Sequence, residues 1–200
     1  MQPSSRLQVV VDRALARSAA SLSEMSGVDI SIGSSAVERV PLHEVPLSVG
    51  EPEEPAVGVY VGIEGDGAGY VLLLLEEGMA MGLAELLLGE STGKVDLRDE
   101  LAASALAEAG NVSCSAFINE VGEATRLRLM AMPPVVVDDM RAAILDVVVA
   151  EIVASGDEAL VIKSHLGRAD EPQGRDRVNA RLLAIPTPET LDAILDRLAA

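Results

Sequence analysis

The chain has few of the residues on which many protein sites depend. It contains one cysteine, two histidines, one phenylalanine, two tyrosines and no tryptophan in 200 residues. The single cysteine, Cys114, excludes an internal disulfide, and nothing near it in sequence would activate its thiol, so we expect it to be a packing residue. His43 and His165 lie far apart in unlike settings, so we expect no metal centre. The core therefore has to be built from aliphatic side chains.

Basic residues are scarce as well. Lys94 and Lys163 are the only lysines, and the formal net charge is −17. This acidity would repel nucleic acid and anionic membranes, so neither is an expected partner. Many dispersed carboxylates with so few lysines predict adaptation to high salt, which screens self-repulsion. An acidic mesophilic protein from a GC-rich genome is the alternative.

Long apolar runs are missing from the start of the chain, where arginine and aspartate interrupt every hydrophobic stretch. We therefore expect no signal peptide. Apolar runs such as residues 71–75 are too short to cross a bilayer. The sequence predicts a cytoplasmic protein without membrane insertion.

Hydrophobic periodicity predicts an order of helices and strands. Helices are predicted over residues 5–26, 76–89, 99–124 and 187–200, and residues 140–152 are ambiguous between helix and strand. Strands are predicted over residues 28–42, 58–77 (a hairpin with a Gly-Asp-Gly turn), 125–139 (broken at Pro133-Pro134), 157–166 and 176–186. Residues 41–55 are predicted to be a loop or an edge segment.

The same order of elements occurs twice. Residues 5–90 and 98–200 each run from a long helix through strands and a hairpin to a short helix. We interpret the chain as a single domain, residues 1–200, formed by tandem duplication. A chance similarity between two ordinary strand–helix units is the alternative.

The long helix at residues 99–124 carries a polar stripe. At about 100° per residue, one narrow sector contains Ser104, Glu108, Asn111 and Ser115. The opposite side, which we expect to face the core, contains Ala102, Leu106, Ala109, Ser113 and Ala116. Small residues flank the Glu and the Asn, so we expect that a partner could approach closely.

The Glu108 and Asn111 side chains suit one kind of chemistry. A carboxylate can pair with a partner's Lys or Arg, and a neutral amide can hold a water by donating and accepting hydrogen bonds. Orienting a water for attack on a phosphoryl group needs such an amide, as Gln provides in GTPases. The pair could therefore help another protein to hydrolyse its own phosphate. An exposed Glu and Asn at this spacing also occur by chance without any role.

The wider spacing resembles a family signature. Ser104-x3-Glu108-x2-Asn111 is followed, after twenty-two intervening residues, by Pro134. This resembles the signature of the CheC/CheX/FliY family of bacterial and archaeal chemotaxis. The surrounding helix, strand and Pro-Pro turn are similar too, as is the preceding strand–helix segment that ends in Leu-Leu-Gly.

The resemblance implies a fold and a function. The fold is α+β, a CheC-like pseudo-duplicated domain with mainly antiparallel sheets and two long helices on one side. The function is dephosphorylation of a phosphorylated CheY-type response regulator, which supplies the phosphoaspartate and the Mg²⁺, so no cofactor is expected on this chain. The implied roles are docking to the regulator's Lys for Glu108 and orientation of the attacking water for Asn111. Ser104 and Pro134 would shape the site.

The sequence departs from the family in one respect. Many CheC proteins carry a second motif on the first long helix, but residues 5–20 contain neither Glu nor Asn. No region is similar to the added segments of FliY. The resemblance therefore favours a free-standing, haloarchaeal CheC with one motif. It also makes CheD a candidate partner. Two alternatives stay open: a non-catalytic adaptor that binds CheD or the flagellar motor switch, and an unrelated small-molecule-binding domain.

Overall fold

The computed structural model describes residues 5–91, 93–152, 158–168 and 180–199. The helices in these residues are α1 (Ser5–Ser26), α2 (Glu77–Leu88), α3 (Glu100–Thr125), α4 (Arg141–Ile152) and α5 (Pro188–Ala199). The strands are β1 (Ile30–Pro41), β2 (Pro55–Gly65), β3 (Gly69–Glu76), β4 (Leu129–Ala131), β5 (Val135–Met140), β6 (Glu158–Arg168) and β7 (Ala180–Pro186).

All seven of these strands lie in one sheet. Their order is β1-β6-β7-β3-β2-β4, β5 also pairs with β2, and every pairing is antiparallel. β4 and β5 follow one another along β2, with Ile63 opposite Ala131 and Tyr60 opposite Val135. The strand order is symmetric about the central β3–β7 pair, with β1 at one edge and β4 and β5 at the other.

The sheet is covered on both faces. Alternate side chains of β2 and β3 point to opposite faces. On one face, Val59, Val61 and Leu73 pack in a core with α1, α2, α3 and α5. On the other, Tyr60 and Leu72 pack with α4 and with a 3-10 helix over Leu42–Leu47. Burial of both faces explains why these strands read as nearly continuous apolar runs.

The two long helices lie side by side on the first face. The Ser18 hydroxyl of α1 donates a hydrogen bond to the backbone carbonyl of Ser113 at 2.8 Å. Glu120 of α3 is 3% exposed and forms ion pairs with Arg13 at 2.5 Å and Arg17 at 3.5 Å. These contacts fix the rotation of α3 about its axis and therefore decide which of its side chains reach solvent.

The expected α+β class, the antiparallel pairing and the placement of both long helices on one side are confirmed. Residues 141–152, ambiguous in sequence, form helix α4 and bury Ile144, Leu145 and Val148 at helical spacing. The expectation of a loop or edge segment over residues 41–55 is wrong for Leu42–Leu47, a 3-10 helix that buries Val45 and Pro46 against the sheet. Residue 157 and residues 176–179 of the predicted strands lie outside the described residues. Duplication of the two halves stays a prediction.

Candidate functional site

Helix α3 has one buried and one exposed side. Asp99 precedes it with extended backbone angles, and it ends where Arg126 adopts a left-handed conformation with φ 59°. By length and composition alone this helix could cross a membrane. Its buried residues, however, pack within the core of the domain, as in the central helix of a folded protein. They are Ala102, Leu106, Ala109, Gly110, Ser113, Cys114, Phe117, Ile118, Glu120, Val121, Gly122 and Thr125.

The predicted division of α3 into a polar and an apolar side is confirmed. Ser104 and Glu108 are exposed, while Asn111 and Ser115 are half-buried. Opposite them, the residues expected to face the core are buried, except that Ala116 is half-buried. Glu108 is therefore the more exposed member of the pair, with Asn111 one turn away on the same face.

The expectation that small residues beside this pair leave room for a partner is wrong for two of them. Ala109 and Gly110 are buried. A Cβ atom added to Gly110 would lie 2.3 Å from Cγ1 of Val59 on β2. The two residues turn inward because they lie about 100° and 200° around the helix from Glu108. Gly110 thus serves the packing of α3 on the sheet.

Pro134 immediately precedes β5, at the edge of the sheet, and is half-buried. Val136, two residues further on, packs into the core on the face covered by α3, and α3 contacts β5. Pro134 thus lies next to a strand that contacts α3.

The amide of Asn111 has one neighbour within hydrogen-bonding distance on its own helix. The Ser115 hydroxyl donates to Asn111 Oδ1 at 3.3 Å. The sequence placed Ser115 in the polar stripe but gave no reason to assign it a role. The signal that could have found it is the spacing of four residues, which brings side chains together on a helix.

The thiol nearest this pair is inert. Cys114 is fully buried, and burial raises the pKa of its thiol well above the ordinary value. A buried thiol of this kind does not form the thiolate that a nucleophile needs. Within the described ranges, no three His, Cys, Asp or Glu side chains are grouped so that they could hold a metal ion. The arrangement on α3 thus offers a carboxylate and an amide, and a nucleophile would have to be water.

The solvent side of α1 carries different groups. Asp12 accepts hydrogen bonds from Gln8 Nε2 at 2.8 Å and from the Ser35 hydroxyl at 2.7 Å. Val9 beside them is 57% exposed. A carboxylate held in this way cannot donate hydrogen bonds as an amide does. The acid and the amide of α1, Asp12 and Gln8, are thus hydrogen-bonded to each other, and they stand four residues apart in the opposite order to Glu108 and Asn111.

These features define a class of protein: an α+β domain with a two-sided antiparallel sheet, whose long surface helix presents an acid–amide pair. The family model described as "Chemotaxis phosphatase CheX" matches residues 57–163, more than half of the chain. The chain belongs to this family.

Solved structures share this fold. FliY from Thermotoga maritima is 16% identical with a TM-score of 0.75, and the match covers 100% of this chain and 98% of FliY. CheX from Borrelia burgdorferi, solved in a complex with CheY, BeF3 and Mg²⁺, is 19% identical with a TM-score of 0.56 over 88% of this chain and 96% of CheX. The FliM middle domain from H. pylori is 12% identical with a TM-score of 0.61 over 96% of this chain and 95% of that domain. At these identities, the likeness shows the fold alone.

Proposed function

We propose that this protein is a protein-aspartylphosphate phosphatase that stimulates dephosphorylation of a CheY-type response regulator. The observation that carries the proposal is the position of Glu108 and Asn111, one turn apart on the solvent side of α3. The membership of the chain in the family of chemotaxis phosphatases supports it.

In the proposed mechanism, Glu108 docks the regulator and Asn111 acts on water. The exposed carboxylate of Glu108 pairs with the regulator's active-site Lys. The Asn111 amide enters the regulator's site and holds a water in line with the phosphoryl group, accepting from it and donating to it. Attack by that water breaks the acyl-phosphate P–O bond and releases inorganic phosphate and the free Asp carboxylate. The regulator carries the Mg²⁺, and this chain supplies no cofactor.

Two further residues belong to the proposed site. Ser104 lies one turn before Glu108 and is exposed, and Pro134 is half-buried directly before β5. They would shape the surface that receives the regulator without taking part in the chemistry. CheX of Borrelia burgdorferi, which shares this fold, was solved with CheY bound. A regulator of the same type as the partner implies action in the cytoplasm.

The experiment is the decay of a phosphorylated CheY-type regulator with Mg²⁺ in high salt. The wild-type protein should accelerate decay, and Asn111→Ala should abolish the acceleration. Removing one transition-state contact commonly lowers the reaction rate by roughly a hundredfold or more. Asn119→Ala is the matched control, because Asn119 is an exposed Asn on the same helix two turns further on. An Asn111→Ala protein as active as the wild type would contradict the proposal.

A second candidate function is a non-catalytic adaptor that binds CheD or the flagellar motor switch. The likeness to FliM middle domains supports it, including one solved in a FliG–FliM complex (13% identical, TM-score 0.62). The absence of Glu and Asn from residues 5–20 supports it as well. The adaptor function predicts binding without any acceleration of regulator decay. Family membership excludes the third interpretation, an unrelated small-molecule-binding domain.

A further inference from the structure

The Ser115 hydroxyl makes an unusual hydrogen bond for a serine inside a helix. Helical Ser and Thr hydroxyls often donate to the backbone carbonyl four residues earlier. Two others in the described helices do so: Ser23 to Ala19 at 2.9 Å and Thr125 to Val121 at 2.7 Å. Ser115 donates instead to the side chain of the residue four positions earlier, Asn111 Oδ1, at 3.3 Å.

This hydrogen bond bears on how the Asn111 amide is presented. The terminal torsion of an Asn side chain is broad and roughly two-fold, so a free amide offers its oxygen and nitrogen in either order. A hydroxyl on Oδ1 uses one lone pair of that oxygen. The second lone pair and both Nδ2 hydrogens remain available for a water and for phosphoryl oxygens. In the observed orientation Oδ1 faces Ser115, and the groups needed for hydrolysis stay free.

We propose that Ser115 is a positioning residue that holds the Asn111 amide in the orientation required to align the attacking water. The proposal rests on the phosphatase function proposed above. Ser115 acts through Asn111 and touches neither the regulator nor the water. It is half-buried one turn beyond Asn111, on the far side of Asn111 from Glu108 along the helix. Fixing the amide before the regulator arrives removes an ordering cost from the reaction step.

Regulator turnover by Ser115→Ala tests the proposal. The expected result is a kcat lower by about three- to tenfold, the loss of one neutral hydrogen bond. The KM for the regulator should not change, since docking rests on Glu108. Ser115→Thr keeps the hydroxyl and should restore most of the rate. The same Ser-to-Ala change at Ser21, a half-buried position on α1, should leave turnover unchanged.

A double mutant separates positioning from a general effect on the helix. Because Ser115 acts through Asn111, Ser115→Ala should have no further effect in an Asn111→Ala background. The side-chain amide of Asn111 gives an independent NMR readout. Its two ¹⁵N-bound proton signals should stay near their wild-type positions in Ser115→Thr and move toward those of a free Asn amide in Ser115→Ala.

The outcomes distinguish this inference from the function on which it rests. If Asn111→Ala loses the activity while Ser115→Ala keeps the wild-type kcat, the positioning role is overturned and the phosphatase stands. A raised KM with unchanged kcat for Ser115→Ala would also overturn it, since Ser115 would then belong to docking. If Asn111→Ala is as active as the wild type, the phosphatase function itself fails.

Discussion

The side chain of Val59 fills the space beneath Gly110. Val59 is fully buried on β2, and its Cβ would lie 2.5 Å from a Cβ atom at residue 110. Gly110 stands between Glu108 and Asn111, so α3 comes as near to the sheet at this point as backbone atoms allow. The height of the Glu108–Asn111 pair above the sheet is therefore set by the missing side chain of one residue.

Gly110→Ala should destabilise the protein, although Ala is the better helix former by about 1 kcal/mol. Overpacking against Val59 should cost about 1–3 kcal/mol. Urea unfolding measures the difference, and Gly82→Ala in α2 is the matched control, because a Cβ atom there meets nothing within 4 Å. We expect Gly82→Ala to be neutral or stabilising. A similar gain in stability for both variants would show that α3 does not approach β2 this closely.

Glu108→Gln should weaken docking and leave the chemistry intact. An exposed ion pair contributes up to about 1 kcal/mol, so the KM for the regulator should rise about fivefold while kcat stays nearly constant. The difference between variant and wild type should shrink as salt is added, because salt screens exposed charges. Glu123→Gln, an exposed Glu near the end of α3, serves as the control. Loss of kcat at constant KM would assign Glu108 to the reaction step instead.

The Asp66–Arg128 pair gives a prediction for pH. Hydrogen bonds from the Arg128 side chain, at 2.7 Å, and from its backbone N–H lower the pKa of Asp66 from 3.8 to about 2. The carboxyl group of Asp66 thus takes up its proton at a higher pH in the unfolded chain than in the folded chain. The contribution to stability is complete above pH 3.8 and is lost as the pH falls through about 2.

Arg128→Ala should return the pKa of Asp66 toward 3.8, as followed by the carboxyl ¹³C shift during an NMR titration. Arg197→Ala should move it far less, because the charge of Arg197 is the smallest of the causes of the shift. Equal shifts in the two variants would mean that general positive potential, and not the direct pair, lowers the pKa.

The net charge of −17 predicts that stability depends on salt. Self-repulsion among carboxylates is screened over about 10 Å at 0.1 M salt and about 3 Å at 1 M. Unfolding followed by circular dichroism should therefore show a melting temperature that rises with KCl into the molar range. A protein equally stable in dilute buffer would favour the alternative, an acidic protein without adaptation to high salt.

Local sequence patterns predicted much of the fold. The helix predicted over residues 99–124 is observed over Glu100–Thr125, because a 3.6-residue period fixes both its length and its exposed side. The helix predicted over residues 187–200 is observed as α5 from Pro188, and the Thr187 hydroxyl before it accepts a hydrogen bond from the Thr190 backbone N–H at 3.4 Å. Residues 141–152 remained ambiguous because Val147, 49% exposed, and the buried Val148 are both apolar. Without a polar side, periodicity cannot separate a helix from a strand.

The finer structure of the site depends on contacts that a one-dimensional pattern does not contain. The stripe predicted which side of α3 holds Glu108 and Asn111. It did not show that Gly110 is needed for packing, because Val59 lies some fifty residues away in sequence. It also placed Ser115 beside Asn111 without indicating which acceptor its hydroxyl would choose. Both details follow from tertiary packing and side-chain orientation.

The strand order makes the two predicted halves of the chain dependent on each other. β1 pairs with β6, and β2 pairs with β4 and β5, so each half lends its leading strands to the other's hairpin. In residues 5–90 on their own, β1 would have no neighbouring strand, and both edges of the β2–β3 hairpin would lack a hydrogen-bonded strand. A chain cut between α2 and α3 should therefore stay together as one body. Val59 and the Glu108–Asn111 pair that it supports would lie on different fragments. Both fragments would therefore be needed to form the surface proposed to bind the regulator.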